Sequence, residues 1–261
     1  MSSATGCASV TSNKPPLAHP RCADIAFAPS PAAGAASRCS TCSMHSACMP
    51  QQLTPVELIR LDTIVCSTHL FRRGASLYRA GDTFESIYAV RTGCFKTVVM
   101  HRDGHEQVTG FHIAGEPLGL DGVCSDEHNC DAIALEDSTV CVIPFHLLEE
   151  MCHDVKSMQQ HVHRMMSGEI VRESGLMMLL GTMSAEQRVA AFLMNVSTRM
   201  KARGYSAAQF NLRMTREEIG SYLGMKLETV SRMFSKLQKQ GVVDTNGKQI
   251  TILDGEKLAK V

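Results

Sequence analysis

The chain has 261 residues, 44% of them hydrophobic, and its 26 basic side chains balance 26 acidic ones. That is enough apolar material for one large domain or two ordinary ones, and with no apolar run of about eighteen residues the sequence offers no membrane span. The opening MSSATGCASVTSNKPPLAHPRC lacks the apolar stretch of a signal peptide, so a cytoplasmic protein is expected, and eleven cysteines held reduced there point to metal or redox chemistry before disulfides.

Residues 1–37, rich in Ala, Ser and Pro, read as a flexible tail in which Cys7 and Cys22 are incidental. Just beyond it, RCSTCSMHSACM places Cys39, Cys42 and Cys48 in a C-x2-C-x5-C spacing. A redox pair of the thioredoxin kind calls for a surrounding βαβ pattern, which is lacking. Zinc could be held locally by Cys39, Cys42, His45 and Cys48, and C-x2-C is commonest in zinc sites. An iron–sulfur cubane wants four thiolates, so its fourth must come from elsewhere in the chain. The residues alone leave zinc and cluster both open.

TPVELIRLDTIV follows as a short helix, capped by Thr54, with Pro55 at its first position and Glu57 closing a capping box. From there to Phe145, short runs of alternating polarity such as SIYAVRTG and CFKTVVMHRDG break at Gly74, Gly81, Gly93, Gly104, Gly110 and Gly115. That is the texture of an all-β sandwich or roll. Residues 154–180 then read as one long helix with an apolar seam of Met158, Val162, Met166, Ile170, Met177 and Leu180. A seam between two domains suggests a helix pairing with its twin. Glu173 interrupts it, and two such glutamates facing each other across a twofold axis would repel, leaving a marginal dimer.

The C-terminal third is basic: residues 184–261 hold 13 Lys and Arg against 7 Asp and Glu, a balance that suits nucleic acid. In MTREEIGSYLGMKLETVSRMFSKLQKQGVV, Thr215 and Glu218 open one helix and Gly224 turns the chain. A second helix follows with Val230, Met233, Phe234 and Leu237 inward. Asn246-Gly247 then marks a hairpin, completing a winged helix-turn-helix. Glu228, Ser231 and Arg232 share the exposed face of the second helix, where base-reading residues belong, with Thr229 beside them. An arginine fork matches guanine O6 and N7, and a glutamate can accept from cytosine N4. Lys226, Lys236 and Lys239 are candidate phosphate contacts.

GEIVRES, SAEQRVAAFL, MTREEIGSYLG and LETVSRMFSKLQKQG, with SLYRAGD and DGHEQVTGFHIAGE before them, resemble the CRP/FNR superfamily of bacterial transcription regulators. The closer resemblance is to its oxygen-sensing FNR (fumarate and nitrate reduction) branch, and it runs from about Cys39 to Leu253. It implies an α+β architecture: a cluster-binding loop and β-roll over 38–152, a dimerisation helix over 153–183, and a winged helix-turn-helix over 184–261. It also implies a 4Fe-4S cluster on Cys39, Cys42, Cys48 and a distant cysteine before Ile-Pro-Phe. TVCVIPF puts that ligand at Cys141, ahead of Cys124 and Cys130, which do not occupy the matching position. Cys66, Cys94, Cys124, Cys130 and Cys152 are then small core or surface residues.

The further implications are a homodimer on palindromic double-stranded DNA with TTGAT-like half-sites, control of anaerobic gene expression, and contact with RNA polymerase near Gly104-His105. Cyclic AMP is not expected, because the segment after Gly115-Glu116 carries Asp121, Asp126 and Glu127 and no arginine. Nor is an enzyme, since no nucleophile and base are paired.

Overall fold

The computed structural model describes residues 38–65, 67–100 and 103–261; the expected tail, with Cys7 and Cys22, and Cys66 lie outside them. A 3-10 turn (Cys39–Thr41) and one turn of helix, α1 (His45–Cys48), form the cysteine loop, and α2 (Pro55–Ile64) follows. The box that caps α2 is complete: the Thr54 amide donates to Glu57 Oε2 at 2.7 Å, and the Glu57 amide donates to Thr54 Oγ1 at 3.3 Å.

Eight strands make the roll: β1 (Ser67–Phe71), β2 (Ser76–Tyr78), β3 (Ser86–Thr92), β4 (Cys94–Met100), β5 (Glu106–Ile113), β6 (Pro117–Leu118), β7 (Asp131–Ala134) and β8 (Ser138–Pro144). They form two antiparallel four-stranded sheets, ordered β1-β8-β3-β6 and β2-β7-β4-β5. Their inner faces close over Tyr78, Val90, Phe95, Leu118, Val140 and Val142. Gly110 does not end a strand as expected. It sits inside β5 at a register shift opposite Thr97 and Val98, where a Cβ would lie 2.8 Å from Thr97 Oγ1.

After α3 (Phe145–Asp154), α4 (Lys156–Thr182) runs for 27 residues, about 40 Å. Its expected seam divides. Met158 and Val162 are buried against the chain's own roll with Met151 and Ile143, so these two are not available to a partner, and Met166 is packed partly against the same core. Ile170, Val171, Met177 and Met178 are exposed, as is Glu173 among them.

The C-terminal module comprises α5 (Ala185–Lys201), β9 (Gln209–Asn211), α6 (Arg216–Leu223), α7 (Leu227–Lys239), β10 (Val243–Asn246), β11 (Gln249–Ile252) and α8 (Gly255–Ala259). Gly224 caps α6 in the left-handed region, φ 62°, and a Cβ on Gly220 would lie 2.5 Å from the Met225 carbonyl oxygen, so the turn between the two helices closes only over glycine. The wing turn falls one residue later than the Asn-Gly dipeptide suggested: Asn246 pairs with Gln249, leaving Gly247 and Lys248 as the two loop residues, with Gly247 at φ 60°. Glycine at the first loop position suits a primed hairpin turn. The third wing strand, β9, is too short to show a period in the sequence.

The two halves share a core, in which Val98, Val108 and Phe111 of the roll join Phe192, Leu193, Ile219 and Leu223. Polar contacts seal the join. Lys96 Nζ meets Glu218 Oε1 at 2.9 Å, and the Val108 amide donates to Ser221 Oγ at 2.9 Å.

Candidate cofactor site and nucleic-acid interface

Cys39, Cys42 and Cys48 ride on the loop, and Cys141 projects from β8, paired with Thr68 of β1 and Ala89 of β3. All four line one cavity with His45, Val65, Ala89, Arg91 and Ile143. No disulfide joins the described cysteines. Burial, then the neighbouring Cys141, push both Cys39 and Cys48 up to about 12. As thiolates these groups would repel one another in a desolvated space, so they can ionise together only against a positive countercharge. That donor set fits a thiolate-ligated metal group. Among the described residues, however, no three His, Cys, Asp or Glu side chains converge on a point that would hold a single ion.

Three elements grip the loop. Ser40 Oγ donates to Asp62 Oδ2 of α2 at 2.6 Å, and its amide donates to Asp62 Oδ1 at 3.1 Å. The Cys48 carbonyl accepts from His161 Nε2 of α4 at 2.9 Å. Ala47 and Met44 press on Gly115, φ 85°, where a Cβ would come within 2.8 Å of the Ala47 methyl and 3.4 Å of Arg203 Nε.

The residue after that glycine, Glu116, is 4% exposed and carries charge. Arg199 of α5 donates to it through Nε at 2.8 Å and again through Nη2, and Arg203 Nη2 donates at 2.8 Å. Despite burial, these guanidiniums hold its carboxyl down at about 2. The partners differ: Arg199 is raised by the pairing, whereas burial outweighs the attraction at Arg203 and lowers it. Arg199, with two contacts, is therefore the principal partner. Sequence reading marked the Gly115-Glu116 turn but missed these arginines, which lie more than 80 positions away and carry no local signal.

Of the other cysteines, Cys94 and Cys130 are buried, Cys152 is half-buried and Cys124 is exposed. Cys130 belongs to a closed network, its Sγ 3.5 Å from Asp121 Oδ2, with Tyr78 and His128 on the same carboxylate.

In the nucleic-acid module, Lys226, Glu228, Ser231 and Arg232 are exposed and Thr229 is half-exposed at the start of α7. Arg232 Nη2 donates to Thr229 Oγ1 at 3.2 Å, one turn back, so the surface ion pair that Glu228 and Arg232 could have made is not what orients the arginine. Val230, Phe234 and Leu237 bury the opposite face. Lys236 is engaged with Glu186 of α5, which leaves Lys226 and Lys239 as the better phosphate candidates. Arg216 stacks 3.3 Å over the Phe234 ring and braces α6 on α7, a contact that alternation and capping rules could not reveal.

Residues 187–261 match the Crp-like helix-turn-helix domain, and residues 68–155 match the cyclic nucleotide-binding domain. The fumarate and nitrate reduction regulatory protein of Escherichia coli K12 is 41% identical over 228 residues, covering 87% of this chain and 91% of that one. Electron transport regulator A of Shewanella oneidensis is 40% identical over 229 residues (88% and 92%), and the transcriptional activator protein anr of Pseudomonas aeruginosa is 41% identical over 222 residues (85% and 91%). Among solved structures, FixK2 from Bradyrhizobium japonicum superposes with a TM-score of 0.69 at 30% identity, covering 74% of this chain and 96% of that one. With a roll, a long helix and an exposed recognition helix arranged in this order, the chain belongs to the CRP/FNR family and is a DNA-binding transcription regulator, not an enzyme.

Proposed function

We propose that this regulator responds to oxygen: Cys39, Cys42, Cys48 and Cys141 hold a 4Fe-4S cluster, and the state of that site governs pairing of two chains along α4 and binding to palindromic TTGAT-like sites. The observation that carries the reading is that Cys141, from a remote strand, lines the same cavity as the three loop cysteines. A cubane takes four cysteine thiolates. When bound, such a cluster supplies a group that oxygen attacks and dismantles, and the protein's own residues convert that into movement.

The loop that carries three of these cysteines is tied to α4 through His161 and abuts the Gly115 turn. Moving a two-state equilibrium from mostly one form to mostly the other needs roughly 5 kcal/mol of differential stabilisation, within reach of four metal–thiolate bonds. In the paired form the exposed Ile170, Val171, Met177 and Met178 supply the apolar contact, and Glu173 keeps it marginal. Glu228, Ser231 and Arg232 then read bases, Thr229 orients Arg232, and Lys226 contacts phosphate. Gly104-His105, on the exposed β4–β5 turn, offers a contact for RNA polymerase.

A cyclic nucleotide is a poor fit. The cavity of about 350 Å³ between roll and α4 takes its charge from Asp121, Glu169 and Glu173, and Glu116 is already held by two arginines.

Strictly anaerobic purification, with iron, sulfide and zinc assays and a visible spectrum before and after air, tests the reading. About four iron and four sulfide per chain are expected, with absorbance that air bleaches and a loss of most of it in Cys141→Ala. Zinc without sulfide, and DNA binding indifferent to air, would overturn it.

A further inference from the structure

The cluster reading leaves His45, a polar residue of the cysteine cavity, without a role. It opens α1, midway between Cys42 and Cys48, and lines the same cavity as all four cysteines. Its Nε2 is buried and has no hydrogen-bond partner among the described residues. Leaving a buried polar atom unsatisfied costs on the order of 1–3 kcal/mol, so such an atom calls for a partner. The backbone near it is already committed: the His45 amide donates to the Cys42 carbonyl at 3.1 Å, and the His45 carbonyl accepts from Met49 at 2.9 Å. The cavity itself presents mainly sulfur and apolar carbon.

We propose that His45 donates a hydrogen bond from Nε2 to a sulfur of the iron–sulfur centre and thereby tunes its reduction potential and its lifetime in oxygen. The inference rests on the cluster reading above. The acceptor class is an anionic sulfur, either a bridging sulfide or a cysteine thiolate. A donor to such a sulfur withdraws electron density and raises the reduction potential, which makes the centre harder to oxidise. His45 is then a positioning and tuning residue, and the four cysteines remain the ligands. Its place on the loop adds a consequence: the bond ties α1 to the centre at a point between two ligands.

The test compares anaerobically purified wild-type protein with His45→Ala and His45→Gln, reading iron and sulfide content, midpoint potential and the rate of bleaching in air-saturated buffer. His45→Ala should keep wild-type iron and sulfide, shift the midpoint to a more negative value and bleach roughly three- to tenfold faster, the scale of one ordinary hydrogen bond. Glutamine, which keeps a side-chain N–H donor, should recover part of both. Unchanged potential and bleaching in His45→Ala would overturn the inference and leave the cluster reading standing. Loss of iron and sulfide in His45→Ala, unrescued by glutamine, would overturn it by making His45 a ligand. Wild-type protein that holds zinc and no sulfide would sink both readings.

Discussion

Glu116→Gln is expected to weaken the polar join between the DNA-binding module and the roll without removing any apolar side chain from the core the two halves share. The side chain keeps its shape but loses its charge, and two guanidiniums, with side chains 16% and 11% exposed, lose their counterion. The Glu116 carboxyl is depressed from 4.5 to about 2, which corresponds to about 3 kcal/mol of stability. Truncating a buried ion pair commonly costs 3–5 kcal/mol, so the two routes agree. Carbonyl acceptors soften the loss, since Arg199 also donates to Phe111 O and Arg203 to Arg199 O at 2.8 Å. Because the folded value lies below the unfolded one, the contribution is complete above about pH 4.5 and fades as the pH falls through 2. Urea unfolding of the apo protein at pH 7 should show a deficit of about 3 kcal/mol for the variant, and the gap should narrow between pH 4.5 and 3. A deficit under about 0.5 kcal/mol at pH 7, the ordinary range of a surface substitution, or a gap that persists undiminished at pH 3, would refute the assignment.

Arg232→Ala should weaken binding to a TTGAT-like duplex by about 1–3 kcal/mol and relax preference at one base pair, with the thermal midpoint unchanged because the side chain is exposed; equal weakening on scrambled DNA would make it a phosphate contact instead. Glu173→Ala should raise the dimer fraction of the apo protein in sedimentation velocity, by relieving a like-charge contact on the exposed face of α4. An unchanged fraction would mean the glutamates do not face each other.

The parts of this molecule that were readable from residue order are those governed by local rules. The two expected capping boxes, at Thr54 and Thr215, form as their spacing requires, and the strand runs between glycines become a roll, because periods of two and three-and-a-half report burial directly. The gathering of Cys141 with the loop cysteines was legible only through family resemblance, since nothing in a single cysteine on a strand says what faces it. What local rules could not supply was competition for surfaces. Met158 and Val162 continue the same apolar period as Ile170 and Met177, yet the roll claims the first pair and leaves the second exposed. Periodicity identifies a face and is silent on which neighbour covers it. Gly110 fails for a related reason: a glycine that marks a turn and one that lets a strand bulge past Thr97 look alike in sequence.

On the proposed reading, the cysteine loop is placed where it can act on two elements at once. The loop meets α4 through Cys48 and His161, and it meets the Gly115 turn through Ala47 and Met44; one residue further on, Glu116 holds the end of α5 through Arg199 and the turn after it through Arg203. A displacement of the loop would therefore bear on α4 and on the anchor of the DNA-binding module together, by two short contact chains and not by one long path. The two chains differ in stiffness. The Cys48–His161 link is one hydrogen bond, worth about 1 kcal/mol net, whereas the Gly115 contact is steric and joined to a buried ion triad. Occupancy of the cysteine site should on this ground bias the seat of the DNA-binding module more firmly than it biases α4. Variants that break the Glu116 triad should then lose the dependence of DNA affinity on iron–sulfur content while retaining much of the dependence of dimerisation.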